Sequence, residues 1–223
     1  MPLDAAILDP PVDRHSLKPM IAPLRTALLV IDAQVDFIAP DGAMGQAGLD
    51  LSPVGPVLRR IDALIAAARA AAVAVVFLRV VTRPETDSEA LKLLMQRKGY
   101  PLEAAAICRA GTVGADYYGV EPQAGDLEIE KALFSGFSGT SLSRDLRDRG
   151  LDTLVVTGFT TECCVDCTVR DAFHQNFNVF VVQDGCAAYS EDLHYGALNG
   201  LVKNCALLAE AQSVVDCWSP VAA

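Results

Sequence analysis

Apolar, β-branched runs alternate along this chain with amphipathic stretches of helical period, and that alternation limits the fold more than any other feature. Ala27 to Asp32, Val73 to Val81, Thr153 to Thr157 and Asn178 to Gln183 read as strands. Val54 to Ala72, Ser88 to Arg97, Ser141 to Arg149, Glu162 to Asn176 and a Ser190-capped segment reaching Leu208 read as helices. A short strand ends at Lys131, and Ser213 to Cys217 reads as a sixth strand. Repeated βα units imply a parallel sheet with helices on both faces. The expected class is therefore α/β: a three-layer α/β/α, Rossmann-like fold with a six-stranded, mainly parallel sheet. With 223 residues, 52% of them hydrophobic, the chain can fill one such core without disulfides or metal, and a single domain is expected over 26–223. Residues 1–25 carry Pro2, Pro10, Pro11, Pro19 and Pro23 and read as an extended arm, suited to packing on a neighbouring subunit of a homo-dimer or homo-tetramer.

A formal net charge of −10 and the absence of any basic run argue against a nucleic-acid partner. There is no charged start followed by an apolar core, as in a signal peptide, and no apolar stretch long enough for a bilayer, so a cytoplasmic protein without a membrane partner is expected. Seven cysteines, an odd number without scaffold-like spacing, suit a reducing compartment. Cys205 and Cys217 read as packing residues. Cys164 and Cys167 form a C-x-x-C, which admits a redox motif or half of a zinc site, but no second pair is spaced to complete the latter.

Three strand ends carry reactive groups. The run Val155-Val156-Thr157-Gly158 turns at its glycine, and Cys163 and Cys164 follow where a helix begins. Unpaired N–H groups and the positive helix end favour a thiolate there and can hold a developing oxyanion. The strand beginning at Ala27 ends in Asp32, and the strand Leu127 to Lys131 ends in a lysine followed by the run Ser135 to Thr140. Singly, these residues read as a core cysteine, a turn cap and a surface charge. Together they form a constellation at the strand ends where ligands bind in parallel sheets.

From Thr26 to Cys217 the chain resembles the isochorismatase-like cysteine hydrolases, which include nicotinamidases, N-carbamoylsarcosine amidase, ureidoacrylate amidohydrolase and biuret hydrolase. Three ordered motifs carry the likeness: Asp32, Gln34, Asp36 and Phe37; Glu130, Lys131, Phe137, Gly139 and Thr140; and Thr157, Gly158, Thr161, Cys164 and Val165. The resemblance implies that Cys164 is the nucleophile, Asp32 the general base and acid, and Lys131 the cation that holds the pair. It also implies a cis peptide between Phe159 and Thr160, turning the Thr160 N–H toward an oxyanion beside that of Cys164.

Within that resemblance, the segment Cys108 to Asp116, part of a long loop from Lys98 to Asp126, is similar to the ureido and carbamoyl branch. Metal-dependent nicotinamidases carry histidines after the second strand; here Leu78 to Asp87 has none, and the chain holds only His15, His174 and His194. No metal or cofactor is expected. The expected reaction is cysteine-dependent hydrolysis of a linear C–N bond in a small carbamoyl or ureido amide, with ammonia released through a thioester. The alternatives are an isochorismatase-like or nicotinamidase-type hydrolase, and a non-catalytic binding protein. Gln34 is a candidate donor to the substrate and Phe37 and Phe159 are candidate pocket walls. Arg109 is a candidate for a substrate carboxylate or carbonyl, or equally a structural ion-pair partner. Tyr117 and Tyr118 either cover the pocket or cover the core.

Overall fold

The computed structural model describes residues 9–219. Its centre is a six-stranded sheet built from β1 (Thr26–Ile31), β2 (Ala74–Val80), β3 (Leu127–Lys131), β4 (Thr153–Phe159), β5 (Asn178–Ala187) and β6 (Leu207–Ala209). The spatial order is β3-β2-β1-β4-β5-β6, and every pairing is parallel. The helices are α1 (Arg14–Met20), α2 (Val35–Ile38), α3 (Ala43–Gln46), α4 (Val54–Ala70), α5 (Glu89–Arg97), α6 (Leu142–Asp148), α7 (Asp166–His174), α8 (Glu191–Asn204) and α9 (Ala211–Trp218).

The strands alternate their faces between two cores, which is why they read as nearly continuous apolar runs. Leu28, Val30, Val75, Phe77, Val155 and Phe180 pack under α1, α4 and α9, with Leu17, Ile61, Leu64 and Trp218. Leu29, Ile31, Val76, Leu78, Val156 and Val181 pack under α6, α7 and α8, with Leu142, Val169, Leu198 and Leu201. The three-layer α/β/α expectation holds, and the sheet is wholly parallel.

Two expectations are overturned. The amino-terminal segment is not simply extended: Arg14–Met20 is helical despite Pro19. The Asp13 carboxylate caps it by accepting from the N–H groups of His15 and Ser16. Leu17 and Ile21 are fully buried, and the Trp218 indole donates to the Ile21 carbonyl at 3.1 Å. Capping and burial outweigh one lost intrahelical bond near the helix end. Residues 1–8 of the expected arm lie outside the described residues. At the other terminus, Ser213 to Cys217 is not a strand but part of α9. Ala211, Val214, Cys217 and Trp218 are all buried there, a helical spacing that overrides the β-propensity of Val214 and Val215. The sixth strand lies earlier, at Leu207–Ala209, so α8 stops at Asn204.

The core role of α1 predicts that Leu17→Ala costs about 2 to 5 kcal/mol of unfolding free energy in urea denaturation. A loosely docked arm would give a change within about 0.5 kcal/mol.

Candidate active site

In this strand order the direction of winding reverses between β1 and β4, and the carboxyl ends of the strands diverge there to leave a crevice. Asp32 follows β1 directly and Thr160 follows β4, while Ile31 is paired with Gly158 across the gap. Gly158 has φ +127°, and a Cβ there would stand 2.1 Å from the Ile31 carbonyl oxygen, so only glycine lets the two strands approach this closely. The Phe159–Thr160 peptide is cis. The chain then enters a π-helical turn, Thr161–Val165, that runs into α7 and carries Cys163 and Cys164. His194 of α8 is paired through Nδ1 with the Thr161 hydroxyl at 2.8 Å.

Lys131, the last residue of β3, reaches past the end of β2. Its Nζ donates to Asp32 Oδ2 at 2.8 Å and to the Leu133 carbonyl at 3.0 Å. Both side chains of this pair are 0% exposed. Burial pushes the Asp32 carboxyl above its ordinary value, against the pull of Lys131 and Cys164. Burial also opposes the Lys131 ammonium, but Asp32 and Cys164 hold it above its usual range. The Lys131 charge thus opposes the effect of burial on Asp32. Asp32 Oδ1 is buried and without a hydrogen-bond partner. Contact with Cys163, then burial, then the Asp32 charge hold the Cys164 thiol well above its ordinary value. The resting sulfur is therefore a thiol, where the helix start alone suggested a thiolate.

Cys164 opens onto a cavity of about 210 Å³. Phe37, Met44, Phe134, Tyr189, Thr160, Glu162 and Cys163 share its wall, and Ala105 and Ile107 come from the long segment after α5. That segment is pinned to the sheet edge by the Thr82 N–H on the Cys108 carbonyl and the Ala110 N–H on the Thr82 carbonyl. A larger groove of about 590 Å³ lies elsewhere, between Met20, Phe173, Lys203 and Leu207, and none of the three strand-end residues lines it. Chemistry rather than size identifies the site.

Of the residues expected to meet a substrate, Phe37 lines the cavity and three do not. Gln34 is fully engaged: its amide nitrogen donates to the Val80 and Ala115 carbonyls at 2.8 and 2.9 Å, and its oxygen accepts from the Val80 N–H. It has no N–H left for a ligand. Phe159 is 2% exposed and belongs to the core with Val155. Arg109 is held by both oxygens of Asp87 at 2.9 Å, the structural alternative for that residue. Tyr117 packs edge-on against Phe77, away from the cavity, and Tyr118 is 37% exposed.

The isochorismatase domain matches residues 26–213. The chain belongs to the isochorismatase family. It is 34% identical over 189 residues to a ureidoacrylate amidohydrolase RutB from Methylobacterium radiotolerans, covering 79% of this chain and 72% of the relative. The RutB of Pseudomonas syringae pv. syringae is 36% identical over 177 residues, 73% of this chain and 70% of its own. Among solved structures, a cysteine hydrolase from Pseudomonas syringae pv. phaseolicola superposes with a TM-score of 0.78 at 25% identity, covering 97% of this chain and 98% of that one. N-carbamoylsarcosine amidase from Thermoplasma acidophilum gives 0.66 at 26% identity, covering 84% and 96%.

In this isochorismatase-like hydrolase, sequence reasoning passed over Glu162 and Tyr189. Glu162 stands inside the Thr161 to Cys164 motif and Tyr189 just before the Ser190 cap, both just beyond carboxyl ends of strands, which is the signal that could have found them. Among the described residues, no group of three or more His, Cys, Asp or Glu side chains is placed to hold a metal ion. No helix among them is long and apolar enough to cross a membrane.

The buried pair predicts a thermodynamic asymmetry. Lys131→Met strands the Asp32 charge and costs about 3 to 5 kcal/mol in urea denaturation, whereas Lys131→Met combined with Asp32→Asn regains much of that loss.

Proposed function

We propose that this protein hydrolyses a linear C–N bond in a small carbamoyl or ureido-type amide, releasing ammonia through a thioester on Cys164. The observation that carries the reading is the state of the Asp32 carboxylate. One oxygen accepts from Lys131, while the other is buried, without a hydrogen-bond partner and beside a thiol that opens onto the cavity. A buried acceptor without a donor is costly, and here it stands ready to receive a proton.

Asp32 takes the proton of the Cys164 thiol as the sulfur attacks the substrate carbonyl carbon. The negative charge that develops on the carbonyl oxygen is met by the N–H groups of Thr160 and Cys164 at the start of the π-helical turn. Asp32 then gives its proton to the leaving nitrogen, the C–N bond breaks, and ammonia departs. Water attacks the thioester with the same carboxylate as base, releasing the acid and restoring the thiol. Lys131 keeps Asp32 ionised in surroundings that otherwise favour its neutral form. A small cavity suits a small amide, being below the roughly 300 Å³ at which drug-sized sites begin. The names of the relatives, ureidoacrylate amidohydrolase and N-carbamoylsarcosine amidase, support the choice of C–N bond.

The test is ammonia release across a panel of small amides, with mass spectrometry of the quenched enzyme for an acyl group on Cys164. Cys164→Ser keeps the fold and loses turnover, because a hydroxyl is far harder to deprotonate with a carboxylate. Cys163→Ala retains turnover within about tenfold, or about 1.4 kcal/mol in the barrier. Loss of activity in Cys163→Ala with activity kept in Cys164→Ser moves the nucleophile to Cys163 and overturns the role given to Cys164. A panel with no turnover at all leaves a non-catalytic binding protein.

The pH profile supplies a separate check. Asp32 must be ionised to accept the thiol proton and its pKa is raised by burial, so kcat/KM falls on the acid side at a pH above the ordinary carboxylate range. Removing the Lys131 charge moves that limb to higher pH in whatever activity remains.

A further inference from the structure

The cavity in front of Cys164 has one charged residue in its wall, Glu162, and no cationic side chain lines the cavity beside it. Glu162 Oε2 is buried and has no hydrogen-bond partner. Burial raises the pKa of this carboxyl, against the pull of its own backbone N–H and of Thr160. The nearby cations are occupied: Lys131 by Asp32 and the Leu133 carbonyl, Arg109 by Asp87. The Tyr189 hydroxyl donates to the Phe37 carbonyl at 3.0 Å and is likewise spent. An unpaired carboxylate oxygen in an apolar wall is a cost to the empty site that a donor from a ligand removes. The same oxygen repels a ligand carboxylate. Phe37, Phe134 and Tyr189 around the cavity present aromatic surface, which accommodates a cation and does nothing for an anion.

We propose that Glu162 is a specificity-determining residue that accepts N–H donors from the end of the substrate remote from the scissile carbonyl. The preferred substrate is then an uncharged or cationic carbamoyl compound rather than a carboxylate-bearing ureido acid. The inference rests on the proposed amide hydrolysis at Cys164 and sets this chain apart from relatives whose name specifies an acrylate. Specificity of this kind has an attractive part, the donor on Oε2, and a repulsive part, a wall in which no Lys, Arg or His among the described residues stands ready to receive a carboxylate.

Three carbamoyl compounds of similar size separate the possibilities: biuret, which is neutral and rich in N–H groups; 2-aminoethylurea, which is cationic; and N-carbamoylglycine, which is anionic. Wild-type kcat/KM for the better of the first two exceeds that for N-carbamoylglycine by at least about tenfold. Glu162→Gln, which keeps the shape and removes the charge, collapses the ratio of cationic to anionic substrate by at least about tenfold. A general structural defect lowers all three rates together and leaves the ratio unchanged. Preference of the wild type for N-carbamoylglycine, or an unchanged ratio in a folded Glu162→Gln, overturns the proposal. The wild-type ranking alone decides if that variant does not fold. Calorimetric binding of the same compounds to Cys164→Ser separates the two readings if wild type turns over none of them. Tighter binding of 2-aminoethylurea than of N-carbamoylglycine then upholds the role of Glu162 while the hydrolytic reading fails, and binding of neither overturns both.

Discussion

The ion pair between Lys131 and Asp32 is the interaction around which the sheet edge is organised. Two charges wholly removed from water persist only with close contact and further polar partners, and the chain provides both. β3 places the lysine, opposite Val80 at the end of β2, and the Leu133 carbonyl takes a second of its protons. Asp32 takes φ +50° just past β1, an unusual backbone for a residue other than glycine, held by its N–H on the Leu78 carbonyl and by the Gln34 N–H on its own carbonyl. The carboxylate is aimed before any ligand arrives.

The residues after Asp32 extend that frame. The Gln34 side chain bonds to both the N–H and the carbonyl of Val80, reproducing with an amide the pairing that a neighbouring strand makes. Two residues on, Asp36 accepts from the Cys108 N–H at 2.7 Å and from the Ala43 N–H at 3.2 Å, joining the long segment to α3. A Cβ at Gly114 would lie 2.3 Å from the Asp36 carboxylate, so the glycine is part of the clamp. The Asp-x-Gln-x-Asp run therefore does three jobs at alternate residues: a charge at the site, a brace for β2 and an anchor for the cavity wall.

What the sequence displays follows from how local the cause is. The break at the end of an apolar run makes Asp32 legible, Lys131 and the cysteine pair stand out at or after the ends of short strands, Cys164 is told from Cys163 only by the motif it completes, and the alternating order of elements is enough for the fold class. Gln34, Arg109 and Phe159 are legible as notable residues but not in their roles. Arg109 is captured by Asp87 across a turn of the fold, and Phe159 faces the α4 and α9 layer because of the face its strand presents. The helix at Arg14–Met20 was hidden by Pro19, since what sustains it is burial of Leu17 and Ile21 against α9. Glu162 is concealed by its company: a polar letter beside two cysteines gains meaning only when the absence of a partner for Oε2 is visible.

The clamp at Asp36 has a consequence for how this protein can change. The parts that hold the pair and the sulfur are drawn from strand ends locked into the sheet, whereas the cavity wall also takes Ala105 and Ile107 from the segment stapled on by Asp36, together with Glu162 from the cysteine turn. Part of the wall is thus written in a stretch of the chain remote from the reacting groups, while Glu162 is written two residues from the sulfur. New specificities can be recruited by rewriting the stapled segment between its anchor points while the strand ends stay fixed. The fold behaves as a chemical engine with an exchangeable mouth.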